Sequence, residues 1–415
     1  MCSNLKPRIR RLSVANQVYN RFRSQGNALS PGDIAIVDGA EFHHYQPGWT
    51  LVGAGLKDKY SLRRRMTDLI PAHIAYQPEN AASFSPETNS ITTSGGTSIT
   101  YDALIVAPGL QINWDGIGNL SKALADPQSG VSSIYSFDTA DKAWSDIEAL
   151  RTGKAIFTQP AGVIKCAGAP QKIMWMAWDR YRRTRRNDHI DVEFITGMPT
   201  MFSVPKYSEA LNKLREQRGV GALFKHNLTS IDPARRVASF KTADGVTAEK
   251  EYTLLHVTPP MGPPDFIKSS PLADGAGWVD VDQGTLQHKK FSNVFSLGDA
   301  SSLPTSKTAA AITAQAPVLT HNLVSLLNTG KIGKAVYDGY TSCPLLTGYG
   351  QLMLAEFVYG LKPKETFSAF GDQAVPGRAF YYLKKDFFPW VYYNRMVEGT
   401  WFGTSGFSEP KLVSQ

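Results

Sequence analysis

Two cysteines carry most of the chemistry open to this sequence. Cys166 stands in VIKCAGAPQK (163–172), beside Lys165, near Lys172, and just ahead of a segment with helical spacing. Neighbouring cations and a helix N-terminus both favour thiolate over thiol, which suits nucleophilic or redox work. Cys343 stands in DGYTSCPLLTGYG (338–350), which reads as a loop bounded by glycine and proline. Far apart in sequence, the two say little alone about pairing, since a lone cysteine is often just a small buried apolar residue. Cys2 lies near the N-terminus, and no role is read for it.

A second chemical cluster is LGDASSLPTSKTAAA (297–311), a strand ending on Gly298-Asp299 before a helix of small residues. An aspartate there can hydrogen-bond the ribityl chain of a flavin. The helix N-terminus, with Lys307 beside it, stabilises negative charge on a reduced ring. Upstream, DIAIVD (33–38) is a short β-branched strand ending at Asp38. It follows residues 12–24, where Leu12, Ala15, Val18, Tyr19 and Phe22 share a helical face. Helix, strand and terminal acid form the second half of a dinucleotide-binding βαβ unit, in which the acid binds ribose hydroxyls. The first half should be a strand and a glycine-rich turn. KPRIRR (6–11) stands there instead, with no glycine before Gly26. The expectation is a gap in the parallel sheet and poor FAD binding by the polypeptide as written, because backbone N–H groups that cradle the pyrophosphate are missing.

Stepping outward, residues 100–109 (TYDALIVAPG) read as a strand ending on a glycine turn. Residues 154–159, a loop at 160–169, a helix over 170–181 and a strand at 191–196 make a second βαβ unit. Pro170 suits the first helical position, where its missing N–H costs nothing. In this unit Cys166 occupies the place of a glycine-rich phosphate loop. Strands at 253–258 and 293–298 return the chain. The fold class is α/β, with two nested Rossmann-like dinucleotide-binding domains of FAD/NAD(P)-reductase type and a C-terminal membrane-associating region. The expected division is 1–115 with 280–335, then 116–279, then 336–415. In the last, residues 378–402 (RAFYYLKKDFFPWVYYNRMVEGTWF) combine aromatics with Lys384, Lys385 and Arg395. Pro389 is expected to split them into two short amphipathic pieces suited to an interfacial membrane contact; a dimer interface or a lid is the other reading.

Composition narrows the classes. Three Cys in 415 residues exclude a disulfide scaffold. No apolar window reaches the ~18 residues of a spanning helix. The net charge of +8 suits an anionic surface or substrate, yet no basic run is interleaved with aromatics as nucleic-acid binding requires. The densest basic cluster, 181–186, reads as a solvated face. The first 30 residues are basic without an acid, like a transit peptide in composition. His43 and His44 lack further ligands at metal spacing, so packing or a flavin-adjacent hydrogen bond is expected there and no metal.

Taken together, YQPGWTLVGAG (45–55), YDALIVAPG (101–109), KCAGAPQKIMW (165–175), LHVTPPM (255–261), LGDASSLPTSKTAAA (297–311) and DGYTSCPLLTGY (338–349) resemble mitochondrial-type sulfide:quinone oxidoreductases. The likeness begins at Leu12, which argues against reading the basic N-terminus as a transit peptide. The resemblance implies non-covalent FAD contacted by Asp38, Gln46, the backbone near Ala81, Gly109, Asp299, Lys307 and Thr308. It implies that Cys166 and Cys343 are a redox pair oxidising hydrogen sulfide to a persulfide, with electrons passing to ubiquinone. Glutathione, sulfite or sulfide would accept the sulfur. Tyr349 and Phe357 would line the quinone pocket, and the location would be the mitochondrial inner membrane. Two competitors are a non-catalytic remnant without flavin and an NADH:quinone oxidoreductase on the same fold. The latter needs a phosphate loop near 160–170, where Cys166 stands.

Overall fold

The computed structural model describes residues 10–27 and 29–412. Cys2 and most of KPRIRR lie outside them, so the expectation for a missing first strand and turn falls outside the described residues. Helix Arg10–Ser24 buries Leu12, Val14, Ala15, Val18 and Phe22. Its neighbour is the long helix Ala309–Thr329, reached by Asn328 Nδ2 donating to Gln25 Oε1 at 3.0 Å. Strand Ile34–Val37 pairs in parallel with Ile74–Gln77, and Leu104–Val106 pairs in parallel with Val294–Ser296. Among the described residues no ladder joins these two pairs.

The second unit is a five-stranded sheet in the order 131–132, 254–256, 153–159, 190–196, 221–223, with every pairing parallel. Its central strands, Gly153–Gln159 and Ile190–Thr196, are runs rather than alternations because both faces are covered; Phe157 and Phe194 are wholly buried. Helix Ala169–Arg183 links them, with Pro170 in its first turn. Its C-terminal end is not the solvated basic face expected. Asp179 accepts from Arg182 and Arg183 at 2.8 and 2.9 Å, and buried Arg186 donates to Glu148 O at 2.9 Å. These cations hold chain ends together rather than face water.

The C-terminal region begins with an antiparallel hairpin, Thr341–Gly348 against Gln351–Val358. Cys343 therefore lies in a strand, opposite Ala355, and not in a loop. Pro344 is tolerated because this strand is the sheet edge: its other side meets helix Ala169–Arg183 and needs no ladder. Beyond the hairpin, residues 378–396 form one helical rod. Pro389 does not divide it: backbone angles stay helical at Phe387 (φ −70°, ψ −49°) and at Val391 (φ −63°, ψ −29°). The rod takes two wide turns, in which Phe388 N–H bonds Leu383 O and Val397 N–H bonds Tyr392 O, five residues back. A widened turn relieves the clash of a proline ring with the carbonyl four residues earlier. No helix among the described residues is long and apolar enough to cross a membrane.

Candidate redox and cofactor site

The site is built where the N-terminus of helix Ala169–Arg183 meets the hairpin. Cys166 sits at φ +56°, a left-handed conformation that costs a side-chain-bearing residue about 1–3 kcal/mol. Two backbone bonds hold it there: its N–H donates to Lys307 O, and its carbonyl accepts from Ala169 N, both at 2.8 Å. The turn brings Cys166 Sγ to 3.7 Å from Cys343 Sγ. That is contact distance, well beyond the ~2.05 Å of a bond. Gly168 makes the approach possible. A Cβ on it would lie 2.2 Å from Leu345 Cδ2 and 3.3 Å from Cys343 Sγ.

The two sulfurs are not equivalent. The hydrogen bond from Cys343 pulls the Cys166 thiol well below its ordinary value, and Lys172, with Nζ at 3.0 Å, adds to this against the opposing effect of burial. Cys343 moves well above its ordinary value, because it donates that bond and because it is buried. Cys166 is thus the thiolate and Cys343 the thiol. Burial works against the Lys172 ammonium, yet the sulfurs beside it hold it above the usual lysine value. A third lysine, Lys384, enters from the rod and donates to Pro47 O at 2.7 Å. Burial, then repulsion from Lys172, lowers it to about 7. Sequence reasoning read Lys384 as a surface cation. Nothing local separates it from Lys385, which faces solvent at the salt bridge to Asp386.

Cys166 forms part of the wall of a cavity of about 370 Å³, within the ~300–1,000 Å³ range of small-molecule sites. Gln46, Asp299, Lys307 and Thr308 line it too. Lys165 Nζ donates to Gln46 Oε1 at 2.8 Å. Asp299 lies in the turn Gly298–Ala300, where Gly298 takes φ +69°. Helix Ala309–Thr329 starts at the cavity, with Thr308 Oγ1 accepting from Ala311 N at 3.0 Å and Ala309 and Ala310 on the wall. The opposite wall is the rod, through Phe387, Phe388 and Val391. Apolar, aromatic walls with a helix N-terminus at one end fit the flat ring of a flavin, whose added electrons need positive potential.

Other expected residues lie elsewhere. Asp38 follows strand Ile34–Val37, is 2% exposed, and accepts from Ala40 N at 3.1 Å. Gly109, at φ +87°, follows Leu104–Val106, and Ala81 opens strand Ala81–Ser85. None of the three lines the cavity. Asp38, Gly109 and Asp299 all follow C-terminal ends of parallel strands, the side on which such sheets bind ligands. Tyr349 and Phe357 also stay off the cavity, contrary to expectation. Tyr349 OH donates to Ala54 O at 2.7 Å, and its N–H donates to Asp179 at 2.8 Å. Phe357 packs edge-on against Phe202, because alternation along its strand turns Leu354 and Glu356 to the cavity instead. His43 is fully buried, held neutral near about 3 by burial and then by His44, with Nε2 2.7 Å from Tyr392 OH.

No protein-family model matches the chain. It is 51% identical over 415 residues to the mitochondrial sulfide:quinone oxidoreductase of Schizosaccharomyces pombe, spanning 96% of this chain and 90% of that one. The chain belongs to the mitochondrial sulfide:quinone oxidoreductases. The Mus musculus sulfide:quinone oxidoreductase is 43% identical over 373 residues, spanning 89% of this chain and 82% of that one. A member of this family is an oxidoreductase, so the site is that of an enzyme. The crystal structure of the Aquifex aeolicus sulfide:quinone oxidoreductase superposes with a TM-score of 0.74 at 16% identity, covering 94% of this chain and 90% of that one. That likeness shows the fold shared across the sulfide:quinone oxidoreductases.

Proposed function

We propose that this enzyme oxidises hydrogen sulfide at Cys166 and Cys343, with FAD as the cofactor and ubiquinone as the final acceptor of the electrons. The observation that carries the reading is the sulfur pair at 3.7 Å, with one member on the cavity wall. Residues 1–115 and 280–335 would hold the flavin, 116–279 carry the first cysteine, and 336–415 supply the second cysteine and the membrane-facing rod. Gln46, Asp299, Lys307 and Thr308 would hold the flavin ring and its ribityl chain, and Asp38, Ala81 and Gly109 the nucleotide half. Bound FAD would accept two electrons from the sulfur side of the cavity and release them to quinone.

In the oxidised enzyme the two cysteines share a sulfur–sulfur bond, and hydrosulfide attacks it. The cysteine with the lower pKa leaves faster, so the bond to Cys166 breaks. Cys343 keeps the incoming sulfur as a persulfide, and Cys166 leaves as a thiolate beside the ammonium of Lys172. A small acceptor, glutathione, sulfite or sulfide, then takes the outer sulfur and leaves a Cys343 thiol. Loss of two electrons and a proton from the dithiol pair restores the bond. Lys384, near its midpoint at neutral pH, is placed to hold or release that proton. The working location is the mitochondrial inner membrane, with the rod as a monotopic contact. Cys166→Ser and Cys343→Ser should each reduce sulfide-dependent quinone reduction to background. Near-normal turnover in either variant overturns the dithiol reading.

A further inference from the structure

A second surface feature adjoins the rod. Strands Phe42–His44 and Arg63–Arg65 form a small antiparallel ribbon, with Phe42 opposite Arg65 and His43 opposite Arg64. Its guanidinium groups lie over aromatic rings: Arg63 is 4.2 Å from the Phe42 centroid and 4.7 Å from Phe137, and Arg64 is 4.8 Å from Tyr393 of the rod. A guanidinium stacked this way is held extended while its in-plane N–H groups point outward. Arg64 uses Nη1 on Ser61 O and Arg63 O. Its other nitrogens make no hydrogen bond among the described residues.

The charge balance around the ribbon is uneven. Lys57 and Lys385 share Asp386, at 3.3 and 2.9 Å, and Lys59 pairs with Asp141 at 2.7 Å. Arg65 has a loose, exposed contact with Glu41 at 3.6 Å. Among the described residues no carboxylate lies within ion-pair distance of Arg63 or Arg64. These two uncompensated cations stand against the rod, and the Lys57–Asp386 pair ties the chain ahead of the ribbon to it. Between and beside them, Tyr60 (57% exposed), Tyr382 (51%) and Trp390 (48%) present amphipathic rings to solvent. Such rings settle at headgroup level in a bilayer.

We propose that Arg63 and Arg64 bind the phosphates of anionic phospholipids and dock this face, ribbon and rod together, on a negatively charged bilayer. The proposal rests on the monotopic reading of the rod and adds a lipid preference that aromatic residues alone do not supply. A phosphate matches the geometry: planar forks of N–H donors meet a group of acceptor oxygens. The interspersed aromatics, and continuity with the rod whose other face lines the cavity, favour a bilayer over an acidic protein.

The test is cosedimentation of the full chain with vesicles of phosphatidylcholine alone and of phosphatidylcholine with phosphatidylglycerol. Each basic residue near an anionic surface contributes about 1 kcal/mol, or about fivefold in partitioning. The double variant Arg63→Gln/Arg64→Gln should therefore lose about 25-fold in binding to the anionic vesicles, and its binding to neutral vesicles should not change. Arg63→Lys/Arg64→Lys should keep most of the preference, and high salt should erase it. A wild-type chain without anionic preference, a Gln variant that keeps it, or an equal loss on neutral vesicles would each overturn the proposal. Binding to polyglutamate as tight as to anionic vesicles would reassign the surface to an acidic protein. If the chain binds neutral vesicles without an anionic increment, only this inference fails; if it binds neither vesicle, the monotopic reading fails with it.

Discussion

Gly168→Ala asks whether the contact between helix Ala169–Arg183 and the Cys343 strand sets the spacing of the two sulfurs. Gly168 takes φ −88°, ψ −6°, which any residue adopts, so the only objection to alanine is space. The added Cβ would lie 2.2 Å from Leu345 Cδ2, whereas carbon atoms rest at ~3.5–4.0 Å, so the strand or the leucine must move by about 1.5 Å. Leu345 is 1% exposed and has no open space to turn into. Overpacking of this kind costs about 1–3 kcal/mol of stability. The chemistry should suffer more, because bond formation needs the sulfurs to close from 3.7 Å, and a misplacement of about 1 Å costs ~100-fold in rate. Sulfide-dependent turnover and denaturant unfolding of Gly168→Ala measure the two effects. Gly168→Ala/Leu345→Ala removes the clash and should recover part of the turnover although it leaves a cavity. Turnover of Gly168→Ala close to wild type, or a double variant no better than the single one, would refute the reasoning.

Three further outcomes are expected. Lys172→Met removes the ammonium beside Cys166 Sγ, so the thiol pKa rises. The acid limb of the pH–rate profile should move to higher pH, with less thiolate absorbance at neutral pH; an unchanged profile counts against the assignment. Lys384 titrates at about 7 when folded against 10.5 as a free side chain, so between those values the unfolded chain binds the extra proton. Stability of wild type relative to Lys384→Met should rise by about 1.4 kcal/mol per pH unit across that window and be level below it; a flat difference across the window is the opposing result. Asp179, 3% exposed, accepts from Tyr349 N and from two arginines. Asp179→Asn should cost about 1–3 kcal/mol in urea unfolding, and a loss below about 0.5 kcal/mol would mark the clamp as idle.

Much of the fold was legible because local pattern and tertiary burial agree. Residues 154–159 and 191–196 read as strands from continuous apolar runs, and both are central strands. The turn at Cys166 was legible from Pro170, which marks the first turn of the helix behind it. Local rules failed where a neighbour changes their meaning. Glycine and proline around Cys343 signal a loop, yet an edge strand lying on a helix needs no ladder on that side and accepts Pro344. Lys384 and Lys385 are indistinguishable in sequence; the rod's rotation sends one to the thiols and one to solvent. Tyr349 and Phe357 were placed by proximity in sequence to Cys343, whereas strand alternation decides which side chains reach the cavity.

The two wide turns of the rod have a consequence for how this segment can vary. Each holds one residue more than a regular helix would over the same rise. Deleting any one of Leu383–Phe387 would restore a regular helix and rotate everything after it by about 100°. Val391 and Met396 would then swing off the cavity wall, and Trp390 would turn from solvent toward protein. Substitutions along the rod can be absorbed one at a time, but its residue count is fixed. A ruler of set length runs from the hairpin to the cavity's far wall, and chains that keep this site must keep that length.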